Sequence, residues 1–142
     1  MVEQIAKRGR ASARKWLPNV VLINGGTNDA NGRKEDVKAG RTGLKMKELI
    51  EGIFAEVPQA VVVLSTLIPK VGNEEYVEMI NDQYRTIYRQ FVPLGDDGKE
   101  ESNPQFKVVL AEMQPFMNLD DIHDGTHPTT LGERKMAAAW VW

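Results

Sequence analysis

The chain has 142 residues, 42% hydrophobic and 27% charged, with a formal net charge of -2. That length suits one domain with a real core, and the near-neutral balance excludes the electrostatic footprint of a protein that seeks nucleic acid or an anionic membrane. Zero cysteines exclude a disulfide framework, a zinc finger and a thiol nucleophile, and no stretch reaches the length of a membrane span.

The N-terminus has no apolar signal core and the chain carries no Asn-X-Ser/Thr sequon. As written it reads as cytosolic or as a piece of a longer precursor, and its compartment is left open.

In chain order, residues 2–15 predict a short helix with Val2, Ile5 and Ala6 on one side. Lys7, Arg8, Arg10, Arg14 and Lys15 make it basic, which reads as a solvated face, and Gly9 is expected to weaken it. Pro18 closes the segment. The apolar run Val20 to Ile23 follows, without alternation, as a strand covered on both faces of a parallel sheet. It ends in Asn24-Gly25-Gly26-Thr27-Asn28-Asp29, where the glycines permit a tight turn at the carboxyl end of the strand. Ligands bind at that end in open α/β sheets. The polar run 30–36 predicts a loop over the same edge.

A helix is predicted over about 42–57, with Met46, Leu49, Ile50, Ile53 and Phe54 forming one stripe. Val61 to Leu64 is a second buried strand, ending in Ser65-Thr66. Asn73 is expected to cap the next helix, which keeps helical spacing through Ile80, Tyr84 and Tyr88 to Phe91. Segment 95–104, with Ser102 and Pro104, reads as an exposed loop, and 106–111 as a third strand. A loop over 112–128 leads to a last helix starting near Thr130. Thr130 and Glu133 have capping-box spacing, and Leu131, Met136, Ala137 and Trp140 are its expected inner face. Trp140 and Trp142 are expected under the sheet or on its bare side. Strands alternating with amphipathic helices predict a single α/β domain over 1–142, with helices on both faces of a parallel sheet.

Both histidines and three of the acids fall in the stretch Asp120 to Pro128. Asp124 and His127 are three residues apart on a loop, where a carboxylate can orient an imidazole and leave its other nitrogen free as a base. A metal site built from His123, His127, Asp120, Asp121 and Asp124 is the alternative reading of the same loop, although Gly125 and Pro128 disfavour the helix that histidines four apart need.

Gly26-Thr27-Asn28-Asp29 and Asp124-Gly125-Thr126-His127 together resemble the Gly-X-Asn-Asp and Asp-X-X-His blocks of the SGNH (GDSL-type) serine esterases and lipases. The overall wording is similar to fungal carbohydrate-esterase-type members, which remove acyl groups from sugars. The resemblance implies a three-layer, flavodoxin-like hydrolase fold and a small ester or acylated carbohydrate as substrate, with no cofactor and no metal. It also implies roles: Asn28 as oxyanion donor, His127 as base and then acid, Asp124 as its orienting partner, and Gly26 and Asp29 as support. Asp29 is expected to bond local backbone N–H groups.

The family's Gly-Asp-Ser nucleophile block has no counterpart before Gly26. No nucleophile is identified, since Ser12 lies on the basic helix and Ser102 in the charged loop. Ser65, at a strand end, is the one weak substitute, and it would need its hydroxyl beside His127. The resemblance therefore implies an esterase by descent that lacks its first strand or strands and is inactive alone. A non-catalytic binding or structural remnant, or a truncated gene product, is the competing reading. In the family's strand order 2-1-3-4-5, that loss leaves 20–23 as an apolar edge, open to homodimer formation or other self-association.

Overall fold

The computed structural model describes residues 2–101 and 106–140. Ser102, Pro104 and Trp142, for which the sequence carried expectations, lie outside the described residues. Three strands form one parallel sheet in the order β1 (Val20–Ile23), β2 (Val61–Ser65), β3 (Lys107–Ala111). The register sets Val20 opposite Val61 and Ser65 opposite Ala111. Parallel neighbours need long crossovers. Helices α4 (Arg41–Glu56) and α5 (Glu74–Phe91) supply them, while α1 (Val2–Trp16) precedes β1 and α6 (Thr130–Ala139) follows β3. The α/β class, the parallel sheet and the edge position of β1 are as the sequence led one to expect. Among the described residues no helix is long and apolar enough to cross a membrane.

Alternate strand residues point to opposite faces. Ile23, Val62, Leu64 and Val108 enter the main core with the stripes of α4 and α5, where Met46, Ile50, Ile80 and Tyr84 have no exposed surface. Helix α1 docks on the same side. Gly9 marks its close approach to α4, because a Cβ there would fall 2.7 Å from Leu49 Cδ1. The residue expected to weaken this helix lies at its contact with α4. The basic residues are exposed as expected, and two of them, Arg10 and Arg14, also bond Glu56 of α4 at 2.8 Å.

The opposite face is covered unevenly. Val63 and Ala111 meet Met113, Met117 and Ala139 under α6, and Trp140 packs against this cluster as expected. Val20 and Leu22 point the same way but stay 54% and 56% exposed. The expectation of two-sided burial therefore fails at β1, because α6 reaches the β2 and β3 side only.

Four local expectations are corrected. The predicted loop 30–36 contains two short helices, α2 (Thr27–Gly32) and α3 (Lys34–Lys38), anchored by the buried Ala30 and Val37. Asn73 precedes α5 but makes no capping bond; its Nδ2 donates instead to Asn31 Oδ1 at 3.1 Å. The cap of α6 is Thr129, whose hydroxyl accepts from Gly132 N at 3.1 Å, one residue before the expected start. The inner face is Gly132, Met136 and Ala139, with Trp140 beside them, while the expected Leu131 and Ala137 are exposed.

Candidate active site

The carboxyl edge of the sheet carries both sequence blocks. Past Ile23 the chain turns at Gly25-Gly26 into α2. Gly26 has φ +123, and a Cβ there would sit 2.8 Å from the Tyr84 hydroxyl. That hydroxyl donates to the Gly25 carbonyl at 2.7 Å. Burial, and then the charge of Asp29, push the Tyr84 phenol far above its usual range, so it stays a donor. Only glycine meets both the left-handed backbone and the close contact at position 26. The Gly26 carbonyl accepts from Asp29 N and Ala30 N at 2.8 and 3.0 Å, which starts α2.

Asn28 lies exposed in the first turn of α2 and lines a cleft of about 250 Å³ with Asn24, Gly25, Gly26 and Thr27. An exposed amide at a strand end is free to donate to an incoming oxygen. Asp29, by contrast, is 1% exposed. Its Oδ2 accepts from Val2 N at 3.2 Å, a partner 27 residues away. It therefore ties the start of α1, where helix N–H groups lack internal acceptors, to the start of α2.

The second block forms a closed turn. His127 Nδ1 lies 2.6 Å from Asp124 Oδ2, and Asp124 Oδ1 accepts from the backbone N–H of His127 at 2.7 Å and of Thr126 at 2.9 Å. These bonds, with the imidazole first, hold the Asp124 carboxyl far below the usual carboxylate range. An ionised carboxylate only accepts, so in the neutral ring Nδ1 carries the proton and Nε2 is the open base position. His123 stands beside the pair, its Nε2 3.8 Å from Asp124 Oδ2 and its ring stacked 6.4 Å from that of His127.

Sequence reading missed what shapes this loop. Asp121, considered earlier only as a metal donor, is 2% exposed, and its carboxylate accepts from Lys135 Nζ and Asn118 N. Its backbone carbonyl accepts from Thr129 N at 2.7 Å, and a Cβ on Gly132 would lie 2.5 Å from that oxygen. The base of the loop is thus clamped to the start of α6. With Asp121 turned to Lys135 and Asp124 to His127, no three His, Asp or Glu side chains converge as a ligand set among the described residues. Asn81 was missed as well. Its Oδ1 accepts from Leu67 N at 2.7 Å and its Nδ2 donates to the Leu67 carbonyl, which fixes the chain leaving β2. The signal was there: an amide beside the apolar stripe of Val77, Ile80 and Tyr84.

The two blocks meet through segment 66–73. Asn73 donates to Asn31 of α2, and just before it Val71 N donates to the Gly125 carbonyl at 2.9 Å and Lys70 Nζ to Thr126 Oγ1 at 2.8 Å. Asn28 and the Asp124–His127 pair thus share the carboxyl edge, bridged by the chain that follows β2. Ser65 has no exposed surface; its hydroxyl accepts from Asn24 Nδ2 at 2.8 Å and donates to the Ile23 carbonyl at 3.3 Å. Its oxygen is engaged beside β1, not at His127. Ser12 sits on α1, along the outer edge of β1.

The model of the family described as GDSL-like lipase/acylhydrolase matches residues 2–140. A multidomain esterase from Ruminococcus flavefaciens is 23% identical over 129 residues, which is 90% of this chain and 16% of that protein. A carbohydrate esterase family 3 protein from Talaromyces cellulolyticus superposes with a TM-score of 0.80 at 20% identity, covering 98% of this chain and 63% of that one. An acetyl esterase mutant solved with acetate ion gives 0.79 with the same identity and coverage. A family 3 carbohydrate esterase from Clostridium thermocellum gives 0.70 at 22% identity, over 99% of this chain and 62% of that one. The chain therefore spans less than two thirds of the length of these relatives. With a family model matched from the first turn of α1 to the end of α6, this chain belongs to the GDSL-like lipase/acylhydrolase family.

Proposed function

We propose that this chain carries the oxyanion-binding and proton-transfer half of an ester-hydrolysing site directed at acyl esters of carbohydrates, and that it is catalytically incomplete by itself. The observation that carries the reading is the 2.6 Å contact between His127 Nδ1 and Asp124 Oδ2, which leaves Nε2 open on the edge that Asn28 shares. In this reading His127 Nε2 takes the proton of an attacking hydroxyl and returns it to the leaving alcohol, while Asp124 steadies the imidazolium. The Asn28 amide donates to the tetrahedral oxyanion, a contact typically worth about 3 kcal/mol in the barrier. Family membership supports ester chemistry, and the carbohydrate and acetyl esterases among the solved neighbours support the substrate class.

The test is turnover of a short-chain aryl ester and of an acetylated sugar. The 142-residue chain is expected to give none above the background of free imidazole, with or without a serine-trapping phosphonate. Fused behind the part of the Talaromyces cellulolyticus neighbour that this chain does not cover, it is expected to turn over ester in a phosphonate-sensitive way. Asn28→Ala should then lower kcat by roughly a hundredfold or more, and His127→Ala should abolish turnover. Phosphonate-sensitive turnover by the unfused chain, or a fusion indifferent to both substitutions, would sink the reading.

The same reading has a partner in it. Val20 and Leu22 are more than half exposed, and the outer edge of β1 borders an apolar groove of about 390 Å³ lined by Ile5, Ala13, Trp16 and Leu49. Unpaired strand backbone flanked by apolar surface favours strand addition, and the proposed occupant is β1 of a second copy.

A further inference from the structure

The Asp124 and His127 side chains are 41% and 71% exposed, so packing does not hold them. A catalytic pair is useful only within about 0.5 Å of one geometry, and on an open turn that restraint has to come from outside the pair. The two middle residues of the turn receive it. Gly125, at φ +82, has its carbonyl bound by Val71 N, and Thr126 has its hydroxyl bound by Lys70 Nζ at 2.8 Å. Lys70 is 7% exposed, and its ammonium also reaches the Val71 carbonyl at 3.4 Å. A lysine so buried is rare unless its charge is put to use, because desolvating an ammonium is costly. Here the ammonium donates to the Thr126 hydroxyl and interacts electrostatically with the Glu74 carboxylate, although Val71 and Gly72, the two residues that follow it, are exposed. The segment that bears Lys70 is itself fixed, through Leu67 to Asn81 and through Asn73 to Asn31.

We infer that Lys70 is the positioning residue of the Asp124–His127 pair. Its ammonium fixes the Thr126 hydroxyl, and the fixed turn keeps the Thr126 and His127 amides on Asp124 Oδ1 and the imidazole Nδ1 on Oδ2. The significance of this for ester hydrolysis rests on reading His127 as the base; its test does not. The test is NMR of the isotopically labelled 142-residue chain, reading the imidazole Nδ1 proton of His127 and hydrogen exchange of the Thr126 and His127 amides. In Lys70→Met the two amides should exchange about tenfold faster, the equivalent of roughly one hydrogen bond, and the Nδ1 proton signal should broaden away. Lys70→Arg, which returns a cation to the site, should restore the signal. Thr126→Val, which removes the acceptor and leaves the lysine, should match Lys70→Met, and the double variant should be no worse than either. If Lys70→Met unfolds the chain, as far-UV circular dichroism would reveal, Thr126→Val decides alone. Unchanged exchange and an intact Nδ1 signal in Thr126→Val overturn the inference. Failure of Lys70→Arg to restore what a folded Lys70→Met loses makes the lysine a packing residue and overturns it too. None of these readouts needs turnover, so the positioning role and the esterase reading fail separately.

Discussion

At position 26 three demands meet on one residue. The chain must turn sharply out of β1, its carbonyl must start α2, and the Tyr84 hydroxyl must pass within 2.8 Å of where a side chain would begin. Tyr84 is the other half of that arrangement. It looked like an ordinary member of an apolar stripe, and it is fully buried, but its oxygen holds the Gly25 carbonyl. Tyr84→Phe keeps the ring and removes the donor, so a buried carbonyl is left without its partner. The expected cost is about 1–3 kcal/mol of unfolding free energy, with a local shift in the amide resonances of Gly25 to Asn28. Equal stability in chemical denaturation would show that water replaces the hydroxyl. Asn28 and the Asp124–His127 pair were legible as residues because each sits in a short block whose glycines and acids are themselves the turn. Lys70 was not, since nothing in Pro69-Lys70-Val71 separates a buried lysine from a solvated one.

Among the elements, the basic face of α1 is exposed as charge patterning led one to expect, and it also carries a partner. From that exposed face Arg10 and Arg14 converge on Glu56 at the end of α4. The guanidinium of Arg14, and then that of Arg10, draw the Glu56 carboxyl from 4.5 down to about 2. A carboxyl depressed in the folded state adds stability above its ordinary value and loses it as pH falls through the folded value. Glu56→Gln should therefore have a lower thermal midpoint than the parent at neutral pH. The gap should narrow below about pH 4.5 and close near pH 2. A gap that stays constant across that range would assign the loss to packing instead. The face of α6 was read correctly in part: Met136 and Trp140 pack inward as expected, whereas Leu131 and Ala137 are exposed and Gly132 and Ala139 are buried.

For the whole molecule the two sheet edges are unlike. The free edge of β3 bears the exposed Lys107, a common device against further pairing, whereas β1 reads Val-Val-Leu-Ile without a charge. Self-association through β1 is expected to appear in sedimentation velocity as a concentration-dependent dimer. Leu22→Lys, which adds a charge on the exposed face of that strand, should return it to monomer at an unchanged unfolding midpoint. A parent chain that stays monomeric and unfolds cooperatively at high concentration would remove the proposed partner.

The sequence alone determined the order of the strands and the four long helices, the parallel sheet and the two blocks that make the candidate site. Each of these is written in residues at most a few turns apart, where hydrophobic period and turn chemistry act. Only the tertiary structure decided that Ser65 is engaged by Asn24, that Asp29 binds the start of α1, that Tyr84 holds Gly25 and that Lys70 holds Thr126. Those partners stand 41, 27, 59 and 56 residues apart. No local pattern names such a partner: which polar groups meet follows from how apolar faces close over one another, and each buried donor then takes the acceptor that closure brings within reach.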